Sequence, residues 1–390
     1  MIYRKPDIYD TFSCMADACP ASCCEGWQIV IDDDSLEKYM HFATEELPSQ
    51  AEFPSDADRK HFQSRIAASV DWQEGVFRQS KGRCAFLNDM GLCDLQCHLG
   101  EQALCSTCSQ YPRHTEEFYG VREYSLSLSC PKAAELMLRQ KAPMRILTKE
   151  DDMEEWDESF EEDGFDFLLY DQLDLIREQV FRVAQDRTDP IDERMDCLLD
   201  YAYRLQELLD AGRVLELSEL QVTQKPQAPA TESAGFWPED DSVSSSLIPS
   251  RISRTFTREK ARKSLEILKS LEVLQPDWPK RIKYVQDYLG DNSPSTLTCP
   301  KECEIMAEQL LMFFLYTYTL GAVYDDWIYS KISLSVYSVR WIYLIFLSNP
   351  DKSEEVFIRI AYQYAREVEH SDENLNLLEE WFMENRNESA

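Results

Sequence analysis

The stretch Cys14-Met15-Ala16-Asp17-Ala18-Cys19-Pro20-Ala21-Ser22-Cys23-Cys24-Glu25-Gly26-Trp27 decides how this chain is read. Its spacing is Cys14-x4-Cys19-x3-Cys23-Cys24, and three further groups follow: Cys84-x8-Cys93, Cys105-x2-Cys108 and Cys130-Pro131. Ten of the 13 cysteines lie between Cys14 and Cys130, and only Cys197, Cys299 and Cys303 lie beyond. The first third is therefore a cysteine module, and the rest of the chain is something else.

Thiolates are soft ligands that select zinc or iron–sulfur clusters. A pair two or three residues apart lets one turn present both sulfurs to one ion, and groups on separate loops then close a site. The candidate metal ligands are Cys14, Cys19, Cys23, Cys24, Cys84, Cys93, Cys105, Cys108 and Cys130. A structural zinc site takes four tetrahedral ligands, often as two C-x2-C knuckles. Here there is one C-x2-C, and the adjacent side chains of Cys23 and Cys24 diverge. A Cys-Pro step also ends many ferredoxin ligand runs. The chain is read as an iron–sulfur protein, with zinc as the alternative. Nine sulfurs exceed one four-ligand site, so either two sites exist or some are buried bystanders. Cys97, between Gln96 and His98, reads as part of an exposed helix; Cys197, Cys299 and Cys303 read as small core residues.

The chain has 390 residues and 45.5 kDa, enough for two or three domains. With 44% hydrophobic and 12% aromatic residues it can bury a sizeable core. Forty bases against 72 acids give a net charge of −32, which argues against non-specific nucleic-acid binding and against docking on anionic membranes. A lysine-bearing partner is favoured instead. The 11 glycines are never closer than seven residues, so neither a G-x-G-x-x-G loop nor a G-x-x-x-x-G-K loop exists. Met1-Ile2-Tyr3-Arg4-Lys5-Pro6-Asp7 has no apolar region behind it, so no secretory signal is read. The longest uncharged, mostly apolar stretch, 309–324, has 16 residues, short of the ~20 that span a bilayer, and reads as a buried helix. A cytoplasmic location with reduced thiols is expected.

The expected fold is mainly α. A small α+β cysteine-rich, metal-binding N-terminal module (1–145) precedes an acidic segment and helices (146–220), a linker (221–250) and a C-terminal helical bundle (251–390). Within the module, residues 27–31 read as a strand. Asp32 to Ser35 read as the cap of a helix from Leu36, since their side chains can satisfy free first-turn amides. Residues 83–94 read as a hairpin around Asn88-Asp89-Met90, and 124–129 as a strand. Pro131 opens a helix at its first position. Residues 151–163 carry nine acids and no base, a solvated run. Helical spacing returns at 165–186, 191–211, 261–274, 301–324, 332–347 and 354–366, and Ser371 is a candidate cap for the last helix.

Two catalytic motifs fail. The radical-type C-x3-C-x2-C would need a cysteine where Gly26 stands, and none of the five histidines forms H-E-x-x-H. His114, six residues after Cys108, could ligate metal, move a proton or simply be a hydrogen-bonded surface residue. Arg113 could hold a carboxylate, including that of a cofactor, or join an ion pair.

Taken in order, Phe12-Ser13-Cys14, Ser22-Cys23-Cys24-Glu25-Gly26-Trp27, Gly82-Arg83-Cys84-Ala85-Phe86-Leu87, Gly91-Leu92-Cys93, Leu104-Cys105-Ser106-Thr107-Cys108, Tyr111-Pro112-Arg113-His114 and Ser127-Leu128-Ser129-Cys130-Pro131 resemble flagellin lysine N-methyltransferases of the FliB type. These sit within a wider family carrying a zinc- or iron-chelating cysteine domain. The resemblance covers about the first 140 residues. It implies methyl transfer from S-adenosylmethionine to lysines of flagellin, with a [4Fe-4S] cluster on the cysteines. A lysine amine attacks a sulfonium methyl only when neutral, and its ordinary pKa is about 10.4. Tyr111, His114 and Glu25 are then the candidate proton acceptors and Arg113 the candidate cofactor-binding residue; ordinary displacement is preferred over radical chemistry. The competing reading is a non-catalytic zinc- or cluster-stapled interaction or electron-transfer protein.

Overall fold

The computed structural model describes residues 1–48, 51–150, 165–222, 255–290 and 293–389. The acidic run at 151–163 and nearly all of the 221–250 linker lie outside the described residues.

The chain opens with strand β1 (Ile2–Pro6), which the sequence reading did not anticipate. Helices α1 (Asp33–Thr44) and α2 (Asp56–Ser69) follow, the first capped by Asp32 and the second by Ser55, whose side chains accept from Ser35 N and Asp58 N. Two short ladders come next, β2 (Val70–Asp71) with β3 (Val76–Phe77), and β4 (Gln79–Ser80) with β5 (Arg83–Cys84). Helices α3 (Asp94–Leu99) and α4 (Ser106–Gln110) lead to strands β6 (Arg113–Phe118) and β7 (Val121–Leu126). Helix α5 (Pro131–Arg139) has Pro131 at its first position, as expected, and β8 (Ile146–Glu150) completes the module.

The main sheet has the order β6-β7-β1-β8. Strands β6 and β7 form a hairpin from Arg113↔Leu126 to Phe118↔Val121, turning through Gly120 at φ +70°, where a side chain would be strained. Strand β1 runs parallel to β7 (Ile2↔Val121) and antiparallel to β8 (Pro6↔Ile146).

Two expectations need correcting. Residues 27–31 do not form a strand: only Val30 pairs, as an isolated bridge to Val76. The side chains do alternate, with Ile29 and Ile31 buried and Val30 exposed. The backbone, however, is shared out among loops, with Ile29 O accepting from Phe77 N and Val30 O from Thr107 Oγ1 at 2.8 Å. The strand read at 124–129 is β7, which starts earlier and stops at Leu126; there Ser127 N turns away to Pro112 O at 2.7 Å, and Cys130 N bonds back to Ser127 O.

The rest is helical: α6 (Phe167–Ala184), α7 (Ile191–Asp210), α8 (Arg258–Ser270), α9 (Trp278–Tyr288), α10 (Glu304–Tyr318), α11 (Ile328–Ser348), α12 (Glu354–Val368) and α13 (Asp372–Glu384), with Ser371 capping the last as expected. Every side chain of α11 from Ile328 to Phe346 is buried, because α7, α9, α10, α12 and α13 pack around it. A helix covered on all sides must pair its charges. Lys331 meets Asp325 and Glu379 at 2.7 and 2.6 Å, and Arg340 meets Asp196. Helix α10 is buried from Met306 to Tyr316, in line with the reading of 309–324, and its Glu308 pairs with Arg187 and Arg194 at 2.7 and 2.8 Å.

The sheet is bonded to this bundle through charge. Arg177 of α6 donates twice to Glu123 of β7 (2.7 and 2.6 Å), and Arg4 of β1 donates twice to Asp174 (2.6 and 2.8 Å). The hydroxyl of Tyr316 lies 3.2 Å from both Arg4 O and Tyr124 O. The cysteine module keeps a core of its own, in which Tyr39, Phe62, Phe77 and Phe86 surround Cys24, Cys84 and Cys105.

Candidate thiol centre and the seam behind it

Short polar contacts hold the cysteine loops against each other. Asp32 caps α1 with one oxygen and accepts from Ser106 N at 2.7 Å with the other, which fixes the Cys105 turn to the start of α1. Tyr39 OH donates to Ala103 O at 2.8 Å from within the core. Cys84 N donates to Cys24 O at 2.9 Å, tying the first cysteine loop to the second. The hairpin read at 83–94 is present as the Leu87↔Cys93 bridge around Asn88. Asp94 braces it, accepting from Asn88 Nδ2 at 2.8 Å and pairing with Arg65, which also donates to Ala85 O at 2.6 Å.

Three of the nine candidate ligands occupy helix N-cap positions: Cys93 on α3, Cys105 on α4 and Cys130 on α5. An N-cap side chain faces unpaired amides that favour a negative charge. Backbone amides accordingly pull each of these thiols down, from Gln96 and Leu95 on Cys93, Cys108 on Cys105, and Ala133 and Lys132 on Cys130.

The sulfurs collect into two neighbouring groups. In the first, Cys24 is electrostatically coupled to Cys23 and Cys93, and Cys105 to Cys108; the charges of Cys84, Cys93, Cys105 and Cys108 are mutually felt. In the second, Cys14, Cys19 and Cys130 interact, and Cys23 reaches Cys19 from the first. The contact with Cys24 draws the Cys23 thiol down to about 7, and the contact with Cys108 draws Cys105 down to about 7. Their partners Cys24 and Cys108 are driven up by the same contacts. Burial pushes Cys84 and Cys130 up to about 11. Cys97 is exposed on α3, Cys197 is half-buried, and Cys299 and Cys303 are buried in the bundle, matching the readings made of them. Among the described residues, no three His, Cys, Asp or Glu side chains are arranged to hold a metal ion as they stand. The donor type suits a soft metal or iron–sulfur cluster, and electrostatic coupling links the thiols within each of the two groups.

Helix α12 closes over this region from the bundle. Arg366, buried, donates from Nε to Ser129 O at 2.9 Å and from Nη2 to Ala21 O at 3.0 Å. One guanidinium thus clasps the loop before Cys130 and the loop between Cys19 and Cys23. Four residues on, His370 packs against Trp27 at a 34° tilt, 5.0 Å between ring centroids, and meets Tyr111 edge-on at 6.4 Å; Trp27 and Tyr111 are themselves 5.8 Å apart. His370 Nδ1 is buried without a hydrogen-bond partner, and burial pulls the imidazole down to about 3. Glu369 accepts from Tyr318 OH at 2.9 Å, and burial pushes its carboxyl up to about 7.

The candidates named from the sequence divide across this seam. Tyr111 lies in it, its hydroxyl 2.9 Å from Ser129 Oγ and its proton held by burial. His114 is exposed on β6, 3.1 Å from Glu116, and its charge reaches Glu369. Arg113 lies over the rings of Phe12 and Tyr9 at 5.2 and 5.8 Å. Glu25 is on the surface, 3.3 Å from Arg83. Sequence reading missed Arg366, Glu369 and His370. The periodicity ended the helix at 366, and no motif marks which face of α12 meets the cysteine loops.

The profile of the FliB lysine N-methylase C-terminal domain matches residues 177–390. The chain is 29% identical over 145 residues to the lysine-N-methylases of Salmonella typhimurium and Salmonella choleraesuis, a match covering 37% of this chain and 34% of each relative. It is also 29% identical over 142 residues to the flagellar biosynthetic protein FliU of Salmonella muenchen, covering 36% of this chain and 80% of that one. The alignment thus spans about a third of the length of the two lysine-N-methylases. No solved structure matches. More than half of the chain fits the family profile, and the chain belongs to the FliB lysine N-methylase family.

Proposed function

We propose that this member of the FliB family transfers methyl groups from S-adenosylmethionine to lysine side chains of flagellin, and that the cysteine module carries a [4Fe-4S] cluster, with zinc as the alternative occupant. The observation that carries the reading is the seam. Arg366 and His370, from the family-matched bundle, meet the loops around Cys19, Cys23 and Cys130, with Glu369 between them in sequence. The relatives' names supply lysine methylation and the flagellar setting.

The residues that would hold a cluster are Cys23, Cys24, Cys84, Cys93, Cys105 and Cys108, with Cys14, Cys19 and Cys130 beside them. When bound, such a group would supply a Lewis-acidic iron and a fixed brace between loops. The transfer itself is a displacement. The lysine nitrogen lone pair forms the N–CH3 bond, the S–CH3 bond breaks with its electrons going to sulfur, and the amine's proton must go to the protein. A carboxylate near neutral pKa suits that last task. Glu369, which accepts from Tyr318 OH and whose carboxyl burial pushes up to about 7, is proposed as one acceptor beside Tyr111, His114 and Glu25, with Arg113 as a holder of the cofactor's carboxylate. The acidic chain would draw in a lysine-bearing partner.

The test is anaerobic incubation of iron-loaded protein with methyl-labelled S-adenosylmethionine and flagellin. Label on flagellin lysines is expected. An intact brown, iron- and sulfide-containing preparation that labels no lysine would overturn the reading.

A further inference from the structure

Outside the seam, a cleft of about 420 Å3 opens between α9, the end of α11 and α12. That volume lies in the range of small-molecule sites. Three of its lining side chains are cations, Lys280 and Arg281 from α9 and Arg359 from α12, against the single carboxylate of Asp277. On a chain of net charge −32, a concave surplus of positive charge is unusual. Asp277 pairs with Arg281 at 2.6 Å, which leaves Lys280 and Arg359 facing the cleft. Arg359 makes no ion pair or hydrogen bond among the described residues; the charges it meets are those of Asp351 and Tyr362. The floor is apolar, formed by the buried Ile345 and Ile360, and the Tyr284 ring stands at the side with the Lys280 ammonium 5.7 Å from its centroid. Gln363 adds an amide, its backbone oxygen already accepting from Gln275.

Cations above an apolar floor, with an aromatic wall, match a ligand that joins an acid group to a flat ring. A bare inorganic anion would leave the floor unused, and a neutral ring would leave Lys280 and Arg359 unpaired. We propose that this cleft binds a small ring-bearing acid of the adenine-nucleotide or adenosyl-amino-acid kind, with Arg359 and Lys280 on the acid group and Ile345, Ile360 and Tyr284 on the ring. Tyr362 of α12 feels the charges of Arg359 and Arg281 as well as that of Cys19. The assignment does not rest on the methylation reading.

Calorimetric titration of the full chain with AMP, ATP, S-adenosylmethionine, S-adenosylhomocysteine and adenosine tests it. At least one acid-bearing probe is expected to bind, with adenosine at least about tenfold weaker. Arg359→Glu and Lys280→Glu should each weaken that probe about tenfold or more, the loss expected when a charge-assisted hydrogen bond goes. Both variants should melt like wild type, since both positions are exposed. Binding of AMP or ATP alone makes the cleft a nucleotide site; binding of the adenosyl amino acids alone makes it the seat of the methyl donor in place of the Arg113 position proposed above. The proposal is overturned when no acid-bearing probe binds tighter than about 1 mM, or when neither charge reversal changes the affinity. Because lysine methylation is read separately, its persistence alongside either result shows that only the cleft assignment has failed.

Discussion

Replacing Arg366 by alanine is the sharpest perturbation of the seam. The guanidinium is 8% exposed and makes two hydrogen bonds to backbone oxygens, 2.9 Å to Ser129 and 3.0 Å to Ala21. A hydrogen bond from a charged group contributes roughly 1.5–3 kcal/mol net, and truncation also leaves two carbonyls to find new donors. Water entering the gap recovers part of this. The expected loss is therefore about 3–5 kcal/mol, a large share of the ~5–15 kcal/mol that holds a typical domain together. Arg366→Lys keeps the charge but reaches at most one carbonyl, so about half the loss should return. The assay is urea unfolding under anaerobic, reducing conditions, paired with amide hydrogen exchange. Protection should drop at residues 19–24 and 127–130 in the alanine variant, well before the centre of α11 opens. If Arg366→Ala unfolds within about 1 kcal/mol of wild type and those amides stay protected, the clasp does not join the two halves and the argument for a shared site falls.

Four further outcomes follow from the same geometry. Glu369 binds its proton more tightly folded (about 7) than at its ordinary 4.5, so its contribution favours folding below 4.5 and is lost as pH rises to 7; Glu369→Gln should flatten that part of the stability curve and slow methylation by about 100-fold. His370 runs the other way, because a value of about 3 against 6.5 means that stability present above 6.5 is lost as pH falls towards 3; His370→Phe, keeping the ring contact with Trp27, should remove that acid sensitivity in a thermal melt. Cys24→Ser and Cys105→Ser should each lower iron and sulfide content in anaerobic preparations, whereas Cys197→Ser should leave both unchanged. Glu308→Ala strands two arginines in the bundle and should cost about 3–5 kcal/mol in chemical denaturation; a change under about 1 kcal/mol would contradict the pairing.

Much of the architecture could be read from the chain because it is locally encoded. Asp32 and Ser371 mark helix starts by accepting from a backbone amide three residues on, and Pro131 by its fixed φ and missing N–H at the first helical position, and all three do so in the structure. Apolar spacing located α6, α7, α8, α10, α11 and α12, because each buries much of its apolar surface, and it missed α9 at Trp278–Tyr288. What escaped was long-range. Strand β1 is five residues with no alternation of its own, and it exists because β7 and β8 flank it. Residues 27–31 have strand alternation without a strand, since their carbonyls serve several loops. The cysteines were legible as a set; their division into two groups depends on loops far apart in the chain, such as those of Cys19 and Cys130. Arg366 in the last turn of α12 and Glu369 and His370 just beyond it left no mark, because no motif sets them apart and only their contacts distinguish them from other polar residues.

The clasp has a timing consequence. Ser129 and Arg366 are separated by 237 residues, and at about 5–20 residues per second the ribosome needs roughly 10–50 s to travel from one to the other. Throughout that interval the thiol loops are already made while the arm that will shut one side of them is still untranslated. Whatever is loaded onto those sulfurs can enter through an open door in the nascent chain, and the last helices to emerge act as the latch.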